Sequence, residues 1–308
     1  MTDQQSSGRI FDISRGAVDD GPGLRTVVFF KGCHLGCPWC HNPEGRSFEP
    51  EIAFDAQRCI GCRRCEQACP RSWGPEGWRR GCTGCGRCAE ACPSGARRLA
   101  GEEISARALV DELLADLDFF AGTGGGVTFS GGEPTAQPGF LLACARLLGA
   151  EGVHLTLETS GHFPAGLVED IAALFDLVLF DLKHADLSRC EQALGTASPR
   201  ALENLAALLE AGVALELRIT LVPGFNDADG DLESIARRLS DMPRRPPVRL
   251  QAFHRLASAK QALFDRPYPY ANAAPITDRQ LERAGRILAG HGIALVEPVA
   301  DSVSSTRA

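Results

Sequence analysis

Short runs of β-branched and apolar residues recur along this chain, separated by stretches in which apolar residues return every three or four positions. The runs at residues 26–30, 127–130, 153–158, 177–181, 214–221 and 248–253 read as strands. Between them, Leu109, Val110, Leu113, Leu114 and Leu117 share one helical stripe, and Phe140, Leu141, Cys144, Leu147 and Leu148 share another. Strands alternating with helices predict a parallel sheet of βα units. Six such units suit an α/β fold of partial (β/α)6 barrel type, with chemistry at the C-terminal strand ends. Residues 1–50 would begin the barrel and 99–300 would complete it. Residues 51–98 break the rhythm, with eight cysteines, several Gly and Pro and no long stripe, and read as an insertion. The polar end at 301–308, DSVSSTRA, is expected to be loose.

Composition narrows the class. The 308 residues are 44% hydrophobic and 23% charged, ordinary for a globular protein. MTDQQSSGRI has neither a basic lead-in nor an apolar core, and no apolar run approaches the ~18 residues that span a bilayer. A cytoplasmic protein without a membrane partner is expected. The net charge of −7 argues against nucleic acid, because phosphate binding wants surplus Lys and Arg. In a reducing compartment the 13 cysteines are not a disulfide framework, and their crowding between Cys33 and Cys92 points to metal.

The first strand runs into KGCHLGCPWCHNPEG, which presents Cys33, Cys37 and Cys40 as C-x3-C-x2-C. Three thiolates on one loop can hold three irons of a 4Fe–4S cube and leave the fourth open. The amine and carboxylate of an amino acid can chelate that open iron, which brings a sulfonium beside a reductant. The competing reading is a zinc site completed by His34 or His41, since zinc takes four tetrahedral ligands. Downstream, CIGCRRCEQACP and CTGCGRCAEACP both follow C-x2-C-x2-C-x3-C-P, the bacterial ferredoxin run for two 4Fe–4S clusters. In that arrangement the fourth cysteine crosses over. One cluster takes Cys59, Cys62, Cys65 and Cys92, the other Cys82, Cys85, Cys88 and Cys69.

The C-x3-C-x2-C loop, with Trp39 before its last cysteine, resembles the signature of the radical S-adenosylmethionine superfamily. The preceding VDDGPGLRTVVFFKGC is similar to glycyl-radical-enzyme activating proteins of the pyruvate formate-lyase-activating type. The likeness continues through GGVTFSGGEPTAQ, LETSG, LFDLKHAD, LRITLVPGFND and FHRLASAK. It implies a radical S-adenosylmethionine barrel with a two-cluster ferredoxin-like insertion, hence three 4Fe–4S clusters and S-adenosylmethionine as cofactors. It also implies an oxidoreductase that generates a glycyl radical on a partner glycyl radical enzyme, served by an electron donor such as flavodoxin or ferredoxin.

The same resemblance assigns site residues. Gly131, Gly132 and Glu133 would receive the amino group of S-adenosylmethionine. Lys183, Arg218 and His254 would surround its carboxylate. Asp181 and Glu158 would lie near the cofactor or an associated cation, and Trp39 and His41 near the adenine. Only three of the 32 basic residues are lysines, Lys31, Lys183 and Lys260, and all lie in these motifs, where a compact point charge is wanted. Two rivals stand beside the activase: another radical enzyme acting on a small molecule or peptide, and a non-enzymatic multi-cluster electron carrier. Finally, residues 58–98 hold nine arginines against three glutamates, a patch suited to an acidic electron donor.

Overall fold

The computed structural model describes residues 3–71, 73 and 77–296; the tail at 301–308 and residues 297–300 lie outside the described residues. In chain order the strands are β1 (Ser7–Ala17), β2 (Arg25–Phe30), β3 (Glu51–Phe54), β4 (Arg97–Ala100), β5 (Glu102–Ser105), β6 (Gly126–Gly131), β7 (His154–Thr159), β8 (Leu177–Asp181), β9 (Leu215–Leu221) and β10 (Val248–Ala252). Eight of them form one sheet in the order β10-β9-β8-β7-β6-β2-β1-β5. Every neighbouring pair from β2 to β10 is parallel, and the spatial order follows the chain order. Each helical connection therefore steps one strand across, and all six C-terminal strand ends face the same way. β2 (RTVVFF) and β6 (GVTFSG) are buried along almost their whole length, as strands covered on both faces must be. No helix among the described residues is long and apolar enough to cross a membrane.

Two strands escape the hydrophobic pattern. β1 pairs antiparallel with β2, and β5 pairs antiparallel with β1. The sequence of β1, SGRIFDISRGA, buries Gly8 and Ile10 and leaves most of the rest partly or fully exposed, so it lacks the apolar run that marks the inner strands. Gly8 is needed here, because a Cβ would stand 2.1 Å from the Phe140 ring on helix Pro138–Ala150.

The first predicted helical stripe is interrupted. Helix Ala106–Leu113 buries Leu109, Val110 and Leu113, but a 3-10 turn follows and Leu117 is 37% exposed. At that turn the buried Asp116 accepts hydrogen bonds at 2.9 Å from Arg15 Nε and from Thr26 Oγ1. A buried carboxylate must be paired, and this one is paired where the regular stripe stops. The second stripe holds, with Phe140, Leu141, Cys144 and Leu148 buried on one helix.

Between β2 and β6 the chain leaves the main sheet. β3 and β4 pair only with each other, antiparallel, and frame the cysteine-rich segment. Inside it, helices Arg64–Ala68 and Arg87–Glu90 pack together, each entered through a left-handed residue. In the second run that residue is Gly86, at φ 79°; in the first it is Arg63, at φ 57°. A non-glycine residue in this region costs roughly 1–2 kcal/mol. Arg63→Gly is therefore expected to stabilise the insertion by about 0.5–1 kcal/mol after the entropy of glycine is counted. A thermal midpoint lower than wild type would show that the Arg63 side chain makes good its backbone strain.

Candidate active site

The C-terminal ends of the parallel strands and the loop after β2 surround one cleft of about 580 Å³. Cys33, Cys37 and Cys40 all line it, and all are free thiols. Their loop is tied down at several points. Gly32 N donates to Gly45 O at 2.8 Å, Glu133 N donates to Gly32 O at 2.8 Å, and Gln137 Nε2 donates to Lys31 O at 2.8 Å. From helix Ala257–Leu263, Gln261 Nε2 donates to Cys40 O at 2.9 Å. Burial pushes the Cys33 and Cys37 thiols up to about 12 and raises Cys40 as well; Glu133 and Cys40 add to the shift of Cys33, and Cys40 and Cys33 to that of Cys37. Three soft thiols facing one cleft, costly to ionise alone, form a donor set suited to a positively charged iron–sulfur centre.

Of the site residues that the sequence nominates in the barrel, only Glu133 does not line the cleft. Its carboxylate is buried and fully engaged. Thr135 Oγ1 at 2.6 Å and Thr159 Oγ1 at 2.8 Å donate to Oε1, while Ser160 N at 2.9 Å and Ser160 Oγ at 2.6 Å donate to Oε2. Glu133 thus clamps the end of β6 to the end of β7, and its backbone amide holds the cysteine loop. Gly131 and Gly132 do face the cleft. Gly131 adopts φ +106°, and a Cβ on Gly132 would stand 2.4 Å from Gly32 O and 2.5 Å from Gly45 O. The glycine pair lets the cysteine loop close against the strand end.

Charges alternate along the strand ends. At the end of β8, Lys183 forms an ion pair with Asp181. Burial works most strongly against the Lys183 charge, but Asp181 and the Cys37 thiol outweigh it and hold the ammonium above its ordinary range. Asp181 Oδ1 is buried without a hydrogen-bond partner. On β9, Arg218 is buried and donates from Nη1 to Glu158 Oε1 at 3.2 Å and from Nε to Glu216 Oε1 at 3.4 Å; Nη2 donates to Asp19 O. Glu158 also accepts from Ser130, and Asp20 Oδ1 lies 3.7 Å from Arg218 Nη1. Burial, then Glu158, raises the Asp20 carboxyl against the opposing pull of Arg218. Arg218 is thus largely committed to carboxylates of the chain, while Lys183 is held by one.

Asp20 is a cleft residue that the sequence does not single out, although it sits inside the VDDGPGLR stretch. The arginine of that motif, Arg25, faces away from the cleft. It is fully buried, and its Nε donates to Thr128 Oγ1 at 3.0 Å and its Nη2 to Thr156 Oγ1 at 2.9 Å. It anchors the motif from below, so the motif's position, not Arg25 itself, places Asp20. Lys260 lines the cleft beside Asn42, at 3.3 Å. Lys31 does not; it is buried and donates to Glu44 O at 2.8 Å.

Trp39 closes one wall, 7% exposed and 4.4 Å from the Phe225 ring centroid. The His41 and His254 rings meet edge to face at 4.7 Å. Burial, then Lys260 and His254, depresses His41 to about 4, so it is neutral at pH 6–8. His41→Gln should leave the pH profile of ligand binding unchanged between pH 6 and 8. Loss of an inflection in that range, read by titration calorimetry, would count against a neutral His41.

In the insertion, Cys69, Cys82, Cys85 and Cys88 line one hollow, together with Trp73, Trp78 and Arg97. These four are the set that the crossed ferredoxin pairing brings together. Cys92, from the other set, is not among these lining residues; its Sγ lies 3.7 Å from Ser94 Oγ.

Residues 27–239 match the Radical SAM superfamily, more than half of the chain. The chain belongs to that superfamily. It is 37% identical over 281 residues to the (2S)-3-sulfopropanediol sulfolyase activating enzyme of Bilophila wadsworthia, covering 87% of this chain and 92% of the relative. It is 36% identical over 301 residues to the benzylsuccinate synthase activating enzyme of Thauera aromatica, covering 93% and 91%. Within the radical SAM superfamily it therefore stands among the activating enzymes of glycyl radical enzymes. A radical SAM methyltransferase from Sphaerobacter thermophilus shares the fold, with TM-score 0.53 and 17% identity over 93% of this chain and 76% of that one.

Proposed function

We propose that this chain is an activase that reductively cleaves S-adenosylmethionine and generates a glycyl radical on a partner glycyl radical enzyme. The observation that carries the reading is the cleft. Cys33, Cys37 and Cys40 open into the same space as Lys183, Arg218 and His254, at the strand ends of a radical SAM fold. Held by the three thiolates, a 4Fe–4S cluster would supply a low-potential electron and one iron open to the amino acid end of the cofactor. The remaining work falls to the chain's own groups. Lys183, kept positive beside Asp181, attracts a carboxylate. Gly131 and Gly132 let the backbone approach an ammonium closely, while Glu133 holds them in place. Trp39 and Phe253 wall the cleft against water, and neutral His41 adds no charge beside an adenine. The glycine to be activated belongs to another chain, so a peptide loop must enter the cleft. Full-length likeness to activating enzymes favours this reading over a small-molecule radical enzyme or a simple electron carrier.

The reading extends to two further 4Fe–4S clusters in the insertion and to an acidic donor such as a flavodoxin or ferredoxin in a reducing cytoplasm. Of the nine arginines at 58–98, Arg97 is buried and Arg79 partly buried, which leaves seven exposed. Charge steering by that surface acts within a Debye length of ~10 Å at 0.1 M salt. Anaerobically reconstituted protein should convert S-adenosylmethionine to methionine and 5′-deoxyadenosine, and should give a glycine-centred EPR signal when mixed with its partner enzyme. Donor-driven rates should fall as salt rises and fall again in Arg63→Glu/Arg64→Glu, with dithionite-driven rates unchanged. Cofactor cleavage without a glycine signal would move the chain to another reaction of the superfamily; no cleavage would leave the carrier.

A further inference from the structure

Arg97, on β4, carries a guanidinium in an unusual setting. The residue is 5% exposed, and its guanidinium carbon lies 4.1 Å from the Trp78 ring centroid, 4.7 Å from Phe54 and 4.9 Å from Trp73. Cation–π contact of this kind favours the charge but does not satisfy N–H donors. Nε and Nη1 are buried without a hydrogen-bond partner, and no carboxylate among the described residues forms an ion pair with Arg97. A second guanidinium, that of Arg79, lies 4.4 Å from the same Trp78 ring. Arg79 has Asp265 Oδ2 at 3.9 Å, but Arg97 has no carboxylate of its own among the described residues, and a desolvated guanidinium in that position is costly unless an anion is supplied.

The open side of this cage is the hollow lined by Cys69, Cys82, Cys85 and Cys88, where Arg97 is itself a lining residue. We propose that Arg97 is a potential-setting residue for a 4Fe–4S cluster held by these four cysteines, its orphaned N–H groups directed at the cluster's thiolate or sulfide sulfurs. The inference rests on the reading of the insertion as a two-cluster module. Reduction adds one electron, from a flavin or iron–sulfur donor, and makes the cluster more negative by one unit. Arg97 stays protonated throughout, so no proton accompanies the electron. A fixed, desolvated positive charge with N–H donors stabilises the reduced state more than the oxidised one and raises the potential. Cys59, Cys62, Cys65 and Cys92 do not line this hollow, so the guanidinium serves one set and not the other. The two clusters, built from near-identical sequence runs, are thereby given different potentials.

The test is an EPR-monitored redox titration of the reconstituted, full-length protein, with iron and spin counts on the same samples. Arg97→Gln should move the midpoint of one insertion cluster to more negative potential. A tenfold fall in its reduced-to-oxidised ratio at a fixed poise is ~59 mV for a one-electron couple. The other insertion cluster should not move, and Arg97→Lys, which keeps the charge in the cage, should stay nearer wild type than Arg97→Gln. Full iron content with both midpoints unmoved in Arg97→Gln overturns the inference while leaving the two-cluster reading intact. Wild-type protein with only about four irons defeats the two-cluster reading instead. Should both variants lose iron, wild-type protein labelled with 15N-arginine decides: pulsed EPR of the reduced insertion must show guanidinium nitrogen coupling, and its absence rejects the contact.

Discussion

Cys37→Ala is expected to abolish reductive cleavage of S-adenosylmethionine and to lower the iron content by about four per chain. Cys37 is 8% exposed, faces the cleft, and is one of only three thiols on the loop. Removing one of three ligands leaves a centre that can no longer keep one iron open while the other three are held. Cys62→Ala offers the contrast. Cys62 is exposed in the insertion, away from the cleft. Its loss should remove iron from the insertion but leave measurable cleavage with a strong chemical reductant. Full cleavage in Cys37→Ala, measured by 5′-deoxyadenosine formation, would put the catalytic centre elsewhere.

The second large effect is expected in Arg218→Met. Arg218 is 3% exposed and is the positive partner for Glu158, Glu216 and Asp20 at once. Taking one partner from a fully buried ionic cluster typically costs about 3–5 kcal/mol; here the Asp20 and Glu158 side chains are 30% and 26% exposed, so a loss nearer the low end is expected as the remaining carboxylates repel. Arg249 still reaches Glu216 at 2.6 Å, so the burden falls on Asp20 and Glu158. Asp20 is already raised above its ordinary 3.8 by burial and by Glu158, with Arg218 pulling it down. Without Arg218 it rises further. A carboxyl with a higher pKa folded than unfolded holds its proton more tightly in the folded state, so the penalty is largest above the folded value. The variant should therefore lose most stability near pH 8 and regain part of it as the pH falls toward the unfolded carboxylate range. A denaturant midpoint equal to wild type at pH 8 would show that the carboxylates are satisfied without Arg218.

Much of this architecture is legible along the chain. Of the six parallel strands, β2, β6 and β8 announce themselves because they are buried on both faces and so read as apolar runs, while β9 and β10 alternate apolar and polar positions. The cysteine spacings declare themselves for a similar reason, since ligands on one tight loop must be close in sequence. β1 and β5 give no such signal. They extend the sheet beyond its most enclosed part, and β1 mixes Arg15, Asp12 and glycines with its few buried positions. The break after Leu113 is equally silent, since only folding brings Arg15 and Thr26 to Asp116.

The same division runs through the site. From its sequence alone this protein declares its α/β class, the cysteine loop that follows its first parallel strand and most of the polar groups at the strand ends, because each depends on residues near one another in the chain. What a carboxylate or guanidinium does there depends on partners far away in the chain, and only the tertiary structure decides that. Glu133 is taken up by Thr159 and Ser160, 26 and 27 positions on. Arg218 is claimed by Glu158, 60 positions back, and by the backbone at Asp19, 199 positions back. Among the nine arginines of the insertion, nothing in the sequence singles out Arg97. Its burial among Phe54, Trp73 and Trp78 does, because a charge acquires a particular role only where packing removes its water and leaves its donors without partners.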